Sequence, residues 1–246
     1  MPEQAPVVLI TGAARRIGAA IATRLHGRGY RVIIHYQNSA ADAKKLCAKL
    51  NASRADSAHS LQASLLDIDS ITQMADASIA HWGQLNALVN NASSFYPTPI
   101  ATATNTQWDD LIGSNLKGPF FLCQALADEL KKRCGSIVNI ADIHAHQPLK
   151  DHSIYCIAKA GNKMLTKTLA KDLAPKARVN GIAPGVILWP ENGAQKDDEQ
   201  KQLIKTIPLQ RMGGSDDIAA LAEFFITSAS YITGQTIAVD GGKHLP

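Results

Sequence analysis

The chain has 246 residues, of which 46% are hydrophobic and 19% are charged, a composition that is ordinary for a folded globular protein. The formal net charge of +4 is mild, and Lys and Arg form no long run, so neither nucleic acid nor a membrane surface is an expected partner. Four cysteines without a Cys-x-x-Cys pair, and a start unlike a secretory signal, indicate reduced thiols and a cytoplasmic location. No stretch approaches the ~20 apolar residues of a membrane span.

Short apolar runs alternate with helical patterns along the sequence. The runs that predict buried strands are residues 7–11, 31–36, 85–92, 136–141, 178–183 and 236–240, with a further one near 59–65. Apolar residues at helical spacing predict the first three helices: Ile17, Ile21 and Leu25, then Leu46 and Leu50, then Ile71, Met74 and Ile79. Longer helices are predicted around residues 106–132, 154–173 and 215–227. This alternation predicts an α/β fold of the Rossmann type, a doubly wound parallel sheet of about seven strands with helices on both faces.

The domain organisation is expected to be simple. No internal repeat, low-complexity tract or linker divides the sequence, so we expect one nucleotide-binding domain over residues 1–246. Residues 189–202 are polar and irregular, and we interpret them as a mobile lid or an inserted loop with a short helix. A substrate loop is therefore expected around residues 186–210.

The segment TGAARRIG, residues 11–18, joins the first predicted strand to the first helix. Gly12 permits a sharp turn, Gly18 lets the helix pack close to the sheet, and the alanines between them leave backbone N–H groups free to face a pyrophosphate. This pattern predicts a dinucleotide site, and a purely structural turn is the alternative interpretation.

The end of the second strand indicates which dinucleotide is bound. An NAD site places a carboxylate about 20 residues after the glycine turn, where it holds the ribose 2′-hydroxyl. Here residues 35–39 read HYQNS and contain no acid. Arg16 can supply the charge that balances a 2′-phosphate, so NADPH is the expected cofactor, whereas Arg15 is more simply a solvated charge.

Several motifs along the chain belong together. They are TGAARRIG, NNAS at 90–93, Asn115, the pair Tyr155 and Lys159, RVNGIAPG at 178–185 and ITGQTIAVDGG at 232–242. With these motifs the chain resembles the short-chain dehydrogenase/reductase family over essentially its whole length. Tyr155 and Lys159 lie one helical turn apart, and an ammonium beside a phenol favours the phenolate, so a lowered pKa of Tyr155 is expected. The resemblance implies that Lys159 also holds the nicotinamide ribose, and that Asn115 anchors a water or fixes the local backbone.

One position departs from that family. Most members carry a Ser about a dozen residues before the Tyr, but this chain has Asp142 in that place. A carboxylate would repel the alkoxide that forms when a ketone is reduced, whereas a carboxylic acid can protonate a ring nitrogen. Asp142 therefore favours reduction of a C=N bond, with a structural Asp as the alternative. Phe95 follows the fourth predicted strand, where its ring can stack on a flat heterocycle or merely fill the core.

NNASSFYPTP at 90–99, Asp142 and the segment around QPL at 147–149 resemble the pteridine reductases, a group within the same family. The resemblance implies that Phe95 and the nicotinamide sandwich the pterin, that Ser93 touches the cofactor phosphates or the pterin, and that Asp142 and Tyr155 form a hydrogen-bonded acid pair. It also implies a 222 homotetramer. Ser64 stands where many relatives have an acid for the adenine amino group, although the Leu65 backbone can serve there.

The expected site residues fall into three groups, and no metal ligand is among them. The expected catalytic residues are Asp142, Tyr155, Lys159 and Asn115. The expected cofactor-binding residues are Gly12, Arg16, Ile17, His35, Tyr36, Gln37, Asn38, Ser39, Ser64, Leu65, Asn91, Ala92, Ser93, Tyr155, Lys159, Pro184, Gly185 and Ile187. The expected substrate-binding residues are Arg16, Ser93, Phe95, Asp142, Tyr155 and Trp189.

The expected function is NADPH-dependent reduction of a pterin such as biopterin or dihydrobiopterin, and possibly of folate or dihydrofolate. Hydride passes to a C=N carbon, and a protonated Asp142 supplies the proton to the adjacent nitrogen. His144 and His146 are more simply surface imidazoles than proton relays. The alternatives are a dihydromonapterin or dihydrofolate reductase, an NADPH-dependent carbonyl reductase, and a non-catalytic protein that senses NADP(H).

Overall fold

The computed structural model describes residues 4–187 and 197–245, with the side chains of 197–200 left out. The strands are β1 Val7–Ile10, β2 Arg31–Tyr36, β3 Ala58–Gln62, β4 Ala87–Asn90, β5 Ser136–Ile140, β6 Arg178–Pro184 and β7 Thr236–Val239. The helices are α1 Arg16–Gly27, α2 Ala40–Ser53, α3 Ile68–Trp82, α4 Asn105–Ile112, α5 Gly118–Lys132, α6 Ser153–Leu173, α7 Asp197–Lys205 and α8 Ser215–Thr227. A π-helical turn, Gly113–Lys117, joins α4 to α5, and a 3₁₀ turn, Ile143–Ala145, precedes α6.

The seven strands of the described chain form one parallel sheet in the order β3-β2-β1-β4-β5-β6-β7. β1 lies between β2 and β4, with Val8 opposite both Val32 and Ala87. The strand order therefore reverses between β1 and β4, and in such sheets ligands bind at that reversal, outside the carboxyl ends of the strands. The predicted fold class is confirmed.

Two apolar clusters lie on opposite faces of the sheet. In β1, Val8 and Ile10 belong to the cluster that includes residues of α1, α2 and α8, whereas Val7 and Leu9 belong to the cluster that includes residues of α3, α5 and α6. Because helices cover both faces, every position of the strand is buried. This explains why the strands appear in the sequence as continuous apolar runs rather than alternating patterns.

One long helix differs from its predicted form, and the expected loop contains a short helix. The helix predicted around 106–132 is broken in register by the π-helical turn, whose buried residues include Asn115. Within the expected substrate loop at 186–210, residues 197–205 form α7, while Trp189 lies outside the described residues. In the part of the chain that is described, no helix combines the length and apolar character needed to cross a membrane.

Candidate active site

A cleft of about 480 Å³ opens at the carboxyl ends of β1, β2 and β4. Its wall is formed by Gly12, Ala14, Arg15, Arg16, Ile17, Gly18, His35, Tyr36, Gln37, Asn38, Ser39, Leu65, Leu66, Asn91, Ala92, Ser93, Ser94, Asp110 and Ser114. The N-termini of α1 and α2 both lie at this cleft, and helix N-termini favour phosphate groups because their backbone N–H groups and dipoles are positive.

In the turn after β1, the backbone at Gly12 and Gly18 lies very close to neighbouring backbone atoms. Gly12 has a φ of +60°, and a Cβ added there would lie 2.9 Å from Ala92 Cα. A Cβ at Gly18 would lie 2.5 Å from the Gly12 oxygen, so only glycine fits at either position. Arg16 also has a left-handed backbone, with φ of +54°, a strain that non-glycine residues rarely accept outside functional sites.

Asn91 and His35 hold this turn from two sides. Asn91 Nδ2 donates to the carbonyls of Thr11 at 2.8 Å and Gly12 at 3.1 Å. His35 Nδ1 accepts from the Gly12 N–H at 3.1 Å, so Nε2 carries the proton and donates to Ala63 O at 3.2 Å. Burial lowers the pKa of His35 to about 4, which keeps the ring neutral near pH 7. Although His35 lines the cleft as expected, both of its ring nitrogens bind the protein itself.

The catalytic candidates meet at the ends of β5 and α6. Tyr155 Oη donates to Asp142 Oδ2 at 2.6 Å, and Asp142 Oδ1 accepts from the His144 backbone N–H at 2.8 Å. Lys159 is buried, donates to Ile140 O at 2.9 Å and lies 5.6 Å from the centre of the Tyr155 ring. Asp142, Tyr155 and Lys159 thus form one compact group.

Asn115 and Ser93 extend this group toward the cleft. Ser93 Oγ donates to Asn115 Oδ1 at 2.7 Å, and Asn115 Nδ2 donates to the Ser94 and Leu111 carbonyls at 3.0 Å each. Because Asn115 lies in the π-helical turn, its own carbonyl accepts from Asn162 Nδ2 at 3.1 Å instead of continuing an α-helical ladder. These bonds connect the Asn115 side chain to the neighbouring backbone, and its part in catalysis stays a prediction.

Phe95 is 54% exposed and stands next to the catalytic group. Its ring centre lies 4.8 Å from that of Tyr155 at an interplanar angle of 76°, and 4.8 Å from that of His152 at 17°. The alternative of a Phe95 buried as a core plug is wrong, because half of the ring faces solvent. Tyr155 and His152 support the ring and leave apolar area accessible to a flat molecule.

The chain is similar to known proteins over almost its whole length. A family model described as enoyl-(acyl carrier protein) reductase matches residues 12–244. Pteridine reductase 1 of Leishmania tarentolae is 37% identical over 285 residues, which cover 98% of this chain and 97% of that protein. The 3-oxoacyl-(acyl carrier protein) reductases of Staphylococcus aureus and Staphylococcus epidermidis are 36% and 35% identical, over 96% of this chain and 97% and 98% of theirs. The chain belongs to the short-chain dehydrogenase/reductase family.

As a short-chain dehydrogenase/reductase, the chain is an NAD(P)-dependent oxidoreductase. The cleft fits such a cofactor, since it combines glycines that admit a pyrophosphate, two helix N-termini and polar side chains at the end of β2. Identity to the pteridine reductase and to the oxoacyl reductases is similar, so sequence identity alone leaves the substrate of this family member open.

Most of the expected cofactor residues line the cleft of this reductase, but some do not. Ser64 is absent from the wall, because its backbone N–H donates to Ser70 Oγ at 2.9 Å and its Oγ accepts from the Leu66 N–H at 3.3 Å. Pro184 ends β6 and Gly185 donates to Val239 O, so both lie beside β7 rather than on the wall. Ile187 is buried, within reach of Gly213.

Seven residues of the wall are not among the expected site residues. They are Ala14, Arg15, Gly18, Leu66, Ser94, Asp110 and Ser114. The first three lie inside the recognised turn and were recoverable from it. Asp110 and Ser114 come from α4 and the π-helical turn, and no local motif marks them as facing a nucleotide.

The electrostatics of Tyr155 differ from the expectation. Burial raises its pKa well above 10, and the neighbouring Asp142 carboxylate raises it further, while the hydroxyl of Ser93 acts weakly in the opposite direction. The expected lowering of the Tyr155 pKa is therefore wrong for this arrangement. Burial also lowers the pKa of Lys159 to about 8, against the opposing effect of Asp142. The phenol holds its proton and directs it at Asp142.

Among the described residues, the ring of neither His144 nor His146 forms a hydrogen bond with Asp142, Tyr155 or Lys159. His144 Nδ1 bonds Gln147 O at 2.9 Å, and His146 is exposed. Among the described residues there is no group of three or more His, Cys, Asp or Glu placed to hold a metal ion.

Proposed function

We propose that this protein is an NADPH-dependent pteridine reductase. The observation that carries the proposal is the 2.6 Å hydrogen bond from the Tyr155 hydroxyl to the Asp142 carboxylate, at a position where the family usually has Ser. A hydroxyl donates to a carbonyl oxygen, but this carboxylate is an acceptor suited to N–H groups of a heterocycle. The similarity to Leishmania tarentolae pteridine reductase 1 supports the same assignment.

The choice of NADPH over NADH rests on the end of β2. Residues 36–39 are neutral hydrogen-bonding groups that lead into the N-terminus of α2, and Arg16 lies on the same cleft. A carboxylate at this point would repel a 2′-phosphate, whereas a helix N-terminus and a guanidinium attract it. These groups would hold the phosphates, and NADPH would supply the hydride for the reduction when bound.

The chain's own residues would supply the proton, and its source would be Tyr155 rather than the protonated Asp142 expected from the sequence, because both oxygens of Asp142 accept hydrogen bonds. Tyr155 is protonated at neutral pH because burial and Asp142 raise its pKa. As negative charge develops on the substrate ring nitrogen, the Tyr155 O–H bond would break and its proton would pass to that nitrogen, while the Asp142 carboxylate would accept from N–H groups of the heterocycle. Lys159, fixed by Ile140 O, places its positive charge behind the phenol ring and favours loss of that proton.

Phe95 positions the substrate. Its half-exposed ring stands against Tyr155, so a flat heterocycle stacked on it is held beside the proton donor. Stacking fixes the approach of the reacting carbon, and such positioning is a large part of enzymatic rate enhancement. The physiological pterin is either a biopterin, a dihydromonapterin or a dihydrofolate.

A second candidate is a 3-oxoacyl or simple carbonyl reductase, which the 36% and 35% identities to the Staphylococcus enzymes favour. One experiment separates the two. The purified protein is supplied with NADPH and, in turn, dihydrobiopterin, dihydromonapterin, dihydrofolate, an oxoacyl thioester and a simple ketone, and the loss of reduced-nicotinamide absorbance is followed. Turnover of at least one pterin and none of the ketones is the expected result. Turnover of the oxoacyl thioester without any pterin would overturn the proposal, and bound NADPH without any turnover would favour a sensing protein.

A further inference from the structure

Helix α6 buries a line of polar side chains, although buried positions are mostly apolar. The line consists of Tyr155, Lys159, Asn162 and Thr166, and each of these residues is 4% exposed or less. Intervals of three and four residues place them on one face of the helix. The first two are catalytic candidates, so the other two need an explanation of their own.

Thr166 and Asn162 differ in how completely they are bonded. Thr166 Oγ1 donates to Asn162 O at 3.2 Å and accepts from Asn139 Nδ2 at 3.0 Å, which anchors α6 to β5. Asn162 Nδ2 donates to Asn115 O at 3.1 Å, but its Oδ1 is buried without a hydrogen-bond partner among the described residues. Burial of an unpaired amide oxygen is unfavourable, and a leucine of similar size would avoid it. Stability alone therefore does not explain the amide at position 162.

The carbonyl that Asn162 binds lacks its ordinary helical donor. In an α-helix the oxygen of Asn115 would accept from the N–H four residues further on, but that residue is Pro119, which has no N–H. The side-chain amide of Asn162 supplies a donor in its place. The π-helical turn also lies directly on α6, since a Cβ added at Gly161 would be 2.6 Å from Leu116 Cδ2.

The bond to Asn115 connects α6 with the residues around the reacting group. Asn115 Oδ1 accepts from Ser93 Oγ at 2.7 Å. Burial raises the pKa of Tyr155 and the Ser93 hydroxyl opposes that effect, so this hydroxyl is within reach of the phenol. Lys159 precedes Asn162 by one helical turn. One side-chain amide thus relates the two halves of the site, one on α6 and one on the π-helical turn.

We infer that Asn162 is a positioning residue of the active site. Its amide holds the carbonyl of Asn115 and so fixes the Ser93–Asn115 pair relative to the tyrosine and lysine on α6. Asn162 is buried and lies outside the wall of the cleft, so it acts through Asn115 and not on a ligand. The inference rests on the proposed function in that it takes these groups as catalytic, but it applies equally to a pterin and to a carbonyl substrate.

Asn162→Leu removes the amide at nearly constant size. The substrate is whichever pterin, oxoacyl thioester or ketone the wild-type protein reduces with NADPH. The variant should lose at least about tenfold in kcat, because small displacements of catalytic groups have large effects on rate. The dissociation constant of NADPH and the midpoint of urea unfolding should stay near the wild-type values. If the leucine prevents folding, Asn162→Ala is measured in its place.

A kinetic isotope effect separates positioning from a merely structural role. With NADPH deuterated at C4 of the nicotinamide, the isotope effect on kcat should rise in Asn162→Leu, because hydride transfer becomes slower relative to the other steps. A loss of folded protein alone would leave the isotope effect unaltered.

Thr166→Val is the matched control, since Thr166 lies on the same buried face of α6 and has no bond to Asn115. It leaves the Asn139 amide without its acceptor, so it should lower the urea midpoint. Its kcat per folded molecule and its isotope effect should equal those of the wild type. An equal loss of kcat in Thr166→Val and Asn162→Leu would overturn the inference.

Amide hydrogen exchange gives a readout that needs no substrate. Followed by mass spectrometry, exchange in the π-helical turn Gly113–Lys117 should be at least about tenfold faster in Asn162→Leu than in the wild type or Thr166→Val. If no compound is reduced, the proposed function fails, and exchange alone then decides the inference. Unchanged exchange in Asn162→Leu would contradict it, as would a wild-type kcat and isotope effect in that variant.

Discussion

Asp142 is the residue on which the proposed chemistry depends. Its carboxylate accepts from Tyr155 Oη and from the His144 N–H, and it lies outside the wall of the nucleotide cleft. Asp142→Asn should therefore bind NADPH with unchanged affinity and lose about 100-fold in turnover of a pterin, the scale of a lost acid–base group. Steady-state kinetics and a cofactor titration of the same sample measure the two effects.

The control for this variant is Asp151→Asn, which changes an exposed carboxylate before α6 and should leave both quantities unaltered. Turnover by Asp142→Asn at the wild-type rate would remove Asp142 from the proton path.

His35 is expected to position the phosphate turn through its two ring bonds. His35→Asn keeps an acceptor near the Gly12 N–H, whereas His35→Leu removes both bonds and leaves a buried N–H without a partner. The Leu variant should weaken NADPH binding about tenfold and the Asn variant much less, with the substrate KM little changed in both.

A buried histidine remote from the cleft provides the comparison for His35. His26 bonds Ser57 Oγ at 2.7 Å, and His26→Leu should lower stability without weakening cofactor binding. Equal loss of NADPH affinity in His26→Leu and His35→Leu would show that the effect is one of general stability.

The guanidinium of Arg178 forms hydrogen bonds at the C-terminal end of helix α8. Arg178, at the start of β6, donates to the carbonyls of Phe225 at 2.7 Å, Ala229 at 2.9 Å and Ile226 at 3.2 Å. These are carbonyls at a helix C-terminus, where a cation is favourable. Arg178→Met should lower the free energy of unfolding by about 2–3 kcal/mol, because partly buried carbonyls lose a charged donor.

Urea unfolding at fixed protein concentration measures this loss. Lys131→Met is the matched control, since Lys131 pairs with the fully exposed Asp128 and such surface pairs contribute about 1 kcal/mol or less. If Arg178→Met lowers the free energy of unfolding by less than about 1 kcal/mol, water replaces the guanidinium at the helix end.

The bounds of the helices and strands show which features of the fold can be predicted from the sequence and which cannot. The β6, α6 and α8 segments were predicted to within one residue, because Gly, Pro or polar groups flank long apolar patterns. β4 is shorter than its run at 85–92, since Asn91 and Ala92 leave the sheet to bond Thr11. The raised pKa of Tyr155 and the position of Asp110 depend on burial and on distant residues, which no local pattern encodes.

We propose that the whole molecule is a homotetramer, as expected from the family. Large apolar side chains stand exposed on two regions of the surface. One region, from α4 to α6, has Trp108, Phe120, Ile157 and Met164; the other, from α8 to β7, has Phe224, Tyr231 and Ile237. Exposed patches of this kind mark association surfaces.

The mass in solution tests this assembly. Ile157→Glu places a charge in the first region and should convert tetramers to dimers in sedimentation velocity. Ile100→Glu, at an 85% exposed position in the loop before α4, should leave the mass unaltered. A wild-type monomer, or a tetramer in both variants, would contradict the proposal for this surface.

The π-helical turn at Gly113–Lys117 has a consequence for the evolution of the site. It adds one residue to a helix that would otherwise run unbroken from α4 into α5. The two halves are thereby rotated out of phase, so the residues of α4 that face the cleft do not continue the face of α5 that packs on the sheet. A deletion of a single residue in this turn would preserve a helix of nearly the same length and yet withdraw Asn115 from Ser93, which makes the locus intolerant of shortening even where substitutions are accepted.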